Sequence, residues 1–442
     1  MKTNRPYLLF VPTAVHDTIC RHVRRNKENY FFIIHYILTK PVHDKNCKDD
    51  YVNINKKKVN AIINSNSNNY IKLLEKYELI ESDNNYQPGI KSKHYRLKPE
   101  IKIDTNFVLV TYEQPIYKAL TRRHKNRATN YSRLPSYLNE MRKAFMKITF
   151  DYAAAYKWID GVTDFKKRLS YTIAMKQIQD PRERYFKRNR TNGRLDTNLT
   201  NLKKHLKGFI VGDFVQIDLS NSQPFLLFCF IDFLAKNILD LSFIHSNNNK
   251  PQAPALCLIF DIKNIAETFG ITAIKEVAKI RKKDEISFNT NLSKYKDWTL
   301  NGVLYENMAK FYNNEMGRED MKKLMWPLLF SDNFNYEGRR RYIPYEKEKK
   351  VFAGVFPFIY EIIVALKRKN NRDLAVMLQR IESFIFIDCI AQKLVNAGII
   401  PLTVHDCIIV PKCHERAAIN VIKAVFKEQF NLIPTFKIEP LK

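Results

Sequence analysis

Glycine is scarce. The 442-residue chain has 11 glycines, where average composition would supply about 30. That shortage speaks against folds built on glycine-rich phosphate loops, and neither GxxxxGK[ST] nor GxGxxG occurs. The seven cysteines, at positions 20, 47, 229, 257, 389, 407 and 413, include no CxxC pair. Neither a zinc ribbon nor a disulfide framework is therefore indicated. Long apolar runs are missing too. The most apolar stretch, Phe225–Ile244, is broken by Asp232, Lys236 and Asp240, which excludes a spanning helix, and no membrane partner is expected. The N-terminus shows no secretory leader pattern. Acidic charge is the last shortage: 45 Asp and Glu stand against 74 Lys and Arg, a net charge of +29. Such an excess asks for a polyanion, of which nucleic acid is the commonest. What the chain has in quantity is core-forming material, 45% hydrophobic and 12% aromatic, which excludes general disorder. Its length allows two or three domains at about 100–200 residues each. The expectation is a soluble, cytoplasmic, basic protein whose oligomeric state is open.

Residues 1–100 read as a small domain of their own. Apolar helical segments are expected at Tyr30–Leu38, around Lys56–Ile63 and from Asn69 to Leu79. Two short strand-like pieces follow, on either side of a Pro88-Gly89 turn signal. Three helices and then a hairpin carrying Lys91, Lys93 and Arg96 is the order of a winged helix-turn-helix. Its cations suit phosphate contacts that position without reading bases. A three-helix protein-contact module is the alternative. Residues 121–190 hold 18 Lys and Arg against 6 Asp and Glu, with Tyr131, Tyr137, Tyr152, Tyr156, Trp158, Tyr171 and Tyr185 interleaved. A solvated helical face would explain this run. So would a channel that tracks a strand.

Three later segments carry chemistry. Phe214-Val-Gln-Ile217 alternates as a strand and delivers Asp218 at its end; Leu219–Pro224 then reads as the start of an apolar helix. A carboxylate beside a helix start is placed to hold a metal, although a cap is the commoner use. Pro401–Val404 and Ile408–Pro411 form two apolar strands with His405-Asp406-Cys407 between them, a tight hairpin with an acidic tip. Arg318, Lys322, Trp326 and Phe330 recur every four residues, one drifting stripe on a helix. Cations followed by aromatics could take a triphosphate at one end and a base at the other. Two carboxylates from different strands with such a helix between them is a layout for two-metal phosphoryl transfer.

These segments resemble motifs A, B and C of the family A DNA polymerases and the related phage-type single-subunit RNA polymerases. Motif A is similar at Asp218-Leu-Ser220-Asn-Ser-Gln223, motif B at Arg318-xxx-Lys322-xxx-Trp326-xxx-Phe330, and motif C at Val404-His405-Asp406. Thr191-Asn-Gly-Arg194-Leu195 followed by Asn198-Leu-Thr-Asn201-Leu202 is similar to a stretch just before motif A in DNA polymerase I. The order holds from Thr191 to Pro411. The chain departs from the pattern where the family has Tyr-Gly at the end of motif B, here Phe330-Ser331, and Pro327 inside that helix is expected to kink it. For the Gln on the helix before motif C, Gln379 and Glu382 are the candidates.

The resemblance implies an α+β right-hand polymerase. Its palm would span 191–240 and 376–442, with inserted fingers at 241–375. A basic thumb-like or connecting segment would span 101–190, behind the winged-helix-like domain. It implies Mg²⁺ or Mn²⁺ on Asp218 and Asp406, with Lys322 catalytic. Arg318, Lys322, Trp326, Phe330, Gln223 and Ser220 would take the nucleoside triphosphate. Arg194, Asn198, Asn201 and His405 would take the primer–template. Gln223 stands where the DNA enzymes carry a bulky residue against a ribose 2′-OH, so DNA synthesis on a DNA template is the leading expectation. A phage-type RNA polymerase or primase-like enzyme, and a non-enzymatic DNA-binding replication or regulatory protein on this scaffold, are the alternatives.

Overall fold

The computed structural model describes residues 7–44, 47–63, 65–83, 93–101, 104, 107–111, 114–125, 134–181, 183–237, 262–312, 316–337 and 340–441. The Pro88-Gly89 turn, Lys91 and Tyr131 lie outside them. The described chain is a helix-rich mixture of helices and antiparallel strands. It divides into two compact units. One holds residues 1–133, 150–184 and 201–210, and the other holds 134–149, 185–200 and 211–442.

The first unit opens with strand β1 (Tyr7–Phe10) and a helix, Thr13–His22. The helix expected at Tyr30–Leu38 runs longer, from Lys27 to His43, through Pro41. Its Phe31, Phe32, Ile33, Ile34 and Ile37 are buried, so it is the unit's central beam. Strand β2 (Val52–Asn53) follows, then helices Lys56–Ile63 and Ser67–Lys76. Asn55 and Asn66 accept backbone N–H groups of Lys58 and Asn68 at 3.1 and 3.0 Å, which starts each helix. Strands β3 (Ile80–Ser82) and β4 (His94–Leu97) complete a three-stranded antiparallel sheet in the order β2-β4-β3. Strand β5 (Phe107–Val110) returns to pair with β1. The helix Phe165–Gln179 packs its Leu169 and Ile173 into the same core. Aromatics of the basic stretch are largely engaged inside the units. Tyr156 donates to Gln179 at 2.8 Å, Trp158 stacks on His205, and Tyr137 is buried.

The second unit is organised on a four-stranded antiparallel sheet. Before it come β6 (Phe186–Arg188) and β7 (Leu195–Thr197), a hairpin. The sheet is formed by β8 (Phe214–Leu219), then, after the hairpin β9 (Asn335–Glu337) and β10 (Arg340–Tyr342), by β11 (Leu402–Val404), β12 (Cys407–Pro411) and β13 (Phe436–Pro440). Its order is β11-β12-β8-β13. Val215, Ile217 and Leu219 of β8 point into the core while Phe214, Gln216 and Asp218 are half-buried on the other face, the alternation a pleated strand imposes. The helix Ser222–Asn237 that follows is buried along most of its length. Its Phe225 meets Phe426 and Phe430 of the C-terminal helix Glu415–Phe430. Phe426 in turn meets Phe386 and Phe436. One aromatic cluster thus fixes the sheet, the helix after β8 and the segment before β11 to each other. That segment is a helix, Asn371–Ser383, widening into a π-helical stretch, Phe384–Ala391.

Candidate active site

Asp218 is delivered by β8, opposite Cys407 of β12 and Lys437 of β13. The hairpin expected to have three residues between its strands has two. Cys407 belongs to β12, where it pairs with both Val404 and Asp218, leaving His405 and Asp406 as the turn. A two-residue turn in a twisted hairpin needs a positive φ at its first position, and His405 takes it at 56°. Asp406 is therefore adjacent to Asp218 across the sheet, and its carbonyl accepts the Leu219 N–H at 3.3 Å. Burial, and then the charge of Asp406, push the Asp218 carboxyl well above the usual carboxylate range, against the pull of Lys322 and Lys437. Two carboxyls and the Lys322 ammonium, far apart in sequence, thus act on one another's charge.

The helix carrying Lys322 runs from Arg318 to Phe330, through Pro327. Met321, Met325, Leu328 and Leu329 bury one side of it. Trp326 and Phe330 are exposed, edge to face, farther along. Arg318 is fully engaged. It donates to Gly302 O at 2.9 Å, to Asn221 Oδ1 at 3.1 Å and to Glu306, and it lies over the Tyr305 ring. Asn221, at φ 55°, is the turn between β8 and its helix, so Arg318 ties the two chemical segments together. Beside it, Ser220 is approached so closely by Gly302 that a Cβ there would lie 2.9 Å from Ser220 Cβ.

Glu382 is the residue that sequence reasoning weighed only as a stand-in for a Gln. It is 1% exposed. Arg194 donates to its Oε1 through Nε at 2.8 Å and Nη2 at 2.6 Å. Gln223 Nε2 and Ser222 Oγ donate to its Oε2. Burial, and then the Asp406 charge, raise the Glu382 carboxyl strongly. Gln223 is thus held back on Glu382, with its own Oε1 buried and unpaired. The signal that could have found Glu382 is its place in an i, i+4 apolar series, Leu378-Glu382-Phe386, where a charge has no reason to be unless partnered.

The loop before β7 is clamped on the same helix. Asn192 donates to Gln379 at 3.0 Å, Arg380 to Thr191 O at 2.8 Å, and Ser383 to Gly193 O. Gly193 has φ +70°, and a Cβ would meet Ser383 Oγ at 3.1 Å. Arg188 and Tyr137 both donate to Asp388 at 2.6 Å. Arg194 is thereby brought to the carboxyl cluster through Glu382. Asn198 is not. It is buried and accepts the Tyr185 N–H at 2.9 Å, while Asn201 is exposed at the end of its short helix.

Among the described residues, no three or more His, Cys, Asp or Glu are grouped to hold a metal. A pair of carboxyls that repel one another beside a lysine suits a divalent ion that completes its shell with water and phosphate oxygens. No helix among the described residues is long and apolar enough to cross a membrane.

No protein family and no curated protein matches this chain. Among solved structures, the chain is similar to the POL domain of Pol1 from M. smegmatis, in complex with DNA primer-template and dNTP. The identity is 15% over 62% of this chain and 52% of that one, with a TM-score of 0.26. The chain thus spans about half the length of that neighbour, at a likeness too low to bear on the site.

Proposed function

We propose that this chain is a template-dependent nucleotidyltransferase, specifically a DNA-directed DNA polymerase. The observation that carries the reading is the hairpin turn that sets Asp406 next to Asp218 at the end of β8, where the charges of Asp406 and Lys322 both act on the Asp218 carboxyl. In this reading residues 191–240 and 376–442, built on the β11-β12-β8-β13 sheet, are the palm, and residues 241–375 are the fingers. Residues 1–100 are a winged-helix-like DNA-binding domain, supported by the helix–strand–helix–helix–strand–strand order from Lys27 to Leu97. Residues 101–190 connect the two.

Asp218 and Asp406 would hold Mg²⁺ or Mn²⁺, which supplies Lewis-acid stabilisation of phosphate oxygens and a more acidic primer hydroxyl. Asp218 is placed by its strand pairing, and Asp406 by the turn whose carbonyl accepts the Leu219 N–H. Lys322 neutralises triphosphate charge as it develops on the leaving pyrophosphate, while Arg318 fixes the helix against the 219–222 turn and lends a second positive charge. Gln223, held by Glu382, walls the sugar; Trp326 and Phe330 face the base, and Ser220 lines the floor. Arg194 and His405 meet the primer–template.

Primer extension on defined DNA and RNA templates, with dNTPs or rNTPs and Mg²⁺ or Mn²⁺, is the test. Metal-dependent dNTP addition directed by a DNA template is expected. Incorporation of rNTPs as fast as dNTPs would move the assignment to an RNA polymerase. Tight DNA binding with no incorporation under any condition would make the chain a binding protein.

A further inference from the structure

Eight large aromatic side chains are exposed among the described residues, and six of them lie between Trp326 and Tyr345. Elsewhere among the described residues only the rings of Trp158 and Phe311 are exposed, so the concentration calls for a partner. Its organised part is the β9–β10 hairpin. Arg341 is the cross-strand partner of Tyr336, so the two share a face. Phe334 joins them, with its ring 5.8 Å from that of Tyr336, edge to face, and the Arg341 guanidinium 4.0 Å above it. Tyr336 is 59% exposed. The strand holding Arg341 belongs to a run of three arginines, Arg339-Arg340-Arg341.

We propose that the Phe334–Tyr336–Arg341 face is a binding surface for single-stranded nucleic acid, taking unpaired bases on its rings and a phosphate on the Arg341 guanidinium. Flat rings favour stacked bases of any sequence, and a guanidinium already parked on a ring favours another π-face. The charge excludes a basic or purely apolar occupant. Duplex DNA keeps its bases stacked on each other and offers the rings nothing but backbone. The surface shares only a nucleic-acid partner with the polymerase reading and does not involve the carboxyl pair.

The test is equilibrium binding of a fluorescein-labelled single-stranded oligonucleotide, and of its duplex, to the full chain by anisotropy. The double variant Phe334→Ala/Tyr336→Ala is expected to weaken single-strand binding about tenfold or more, from lost stacking, and to leave duplex binding near wild type. Tyr336→Phe, which keeps the ring, should bind as wild type does. If the double variant loses its native circular dichroism, Tyr336→Ala and Arg341→Ala, both surface changes, carry the comparison alone. Unchanged single-strand affinity, or an equal loss on both oligonucleotides, overturns the proposal. So does sedimentation showing that the variants abolish self-association while binding is intact, which would make this a protein–protein surface. Ring-dependent binding by a chain that incorporates no nucleotide would support it and overturn only the polymerase reading.

Discussion

A carboxyl at position 218 is costly to the fold. Asp218 is crowded by burial and by Asp406, so replacing it with an amide of equal size removes a buried charge and a repulsion together. Asp218→Asn is expected to raise metal-free stability by on the order of 1 kcal/mol, seen as a higher melting temperature at pH 8. The same variant, and Asp406→Ala, should lower nucleotide incorporation by about a hundredfold or more with DNA affinity retained. A stabilised, active Asp218→Asn would remove it from the site. Glu382 should behave in the opposite way. Truncation to Ala strands the Arg194 guanidinium, and loss of one partner of a buried pair costs about 3–5 kcal/mol. Glu382→Gln, which keeps an acceptor, should cost clearly less in urea unfolding. Gln223→Ala should relax sugar choice toward rNTPs, since each 1.4 kcal/mol of lost clash is about tenfold. The kcat/KM ratio of dNTP to rNTP reads it.

At the scale of the element, the helix Arg318–Phe330 ends on two buried lysines. Lys367 donates to Leu328 O at 2.9 Å and to Ser331 O, and Lys349 donates to Asp332 O at 2.5 Å. They satisfy carbonyls that the helix end leaves open. Burial, reinforced by Lys349, lowers Lys367 to about 8 from an ordinary 10.5. Because the folded state then holds fewer protons than the unfolded state between pH 8 and 10.5, stability rises with pH across that window. Wild type should therefore gain stability over Lys367→Met between those pH values, by up to about 3 kcal/mol, in matched thermal melts. A flat difference would mean that the amine keeps its proton. Lys322→Ala, on the same helix, leaves the carbonyl caps untouched. It should lower turnover, with a small fall in melting temperature from the lost attraction to the Asp218 carboxylate.

For the whole molecule, the net charge of +29 makes affinity for nucleic acid salt-dependent whichever surface is used. If six or more phosphates are neutralised, duplex affinity should fall about a thousandfold between 50 and 200 mM salt. A slope near zero in log affinity against log salt would show that the excess charge serves solubility alone.

Composition and local pattern were sufficient for the mixed, helix-rich α+β class. They also located β8, the 318–330 helix and the acidic hairpin, because periodicity and turn chemistry act over a few residues. They missed that Cys407 belongs to its strand, since pairing with Val404 and Asp218 depends on a partner strand remote in sequence. They could not separate Gln379 from Glu382. Both sit on one helix, and only the docking of the 189–194 loop turns one toward Asn192 and gives the other Arg194. Nor could they tell that Arg318 is committed to Asn221 and Glu306 while the charge of Lys322 acts on the Asp218 carboxyl. A residue's type and spacing are local properties. Its burial, its charge neighbours and its free donors are set by elements that meet only after the chain has folded.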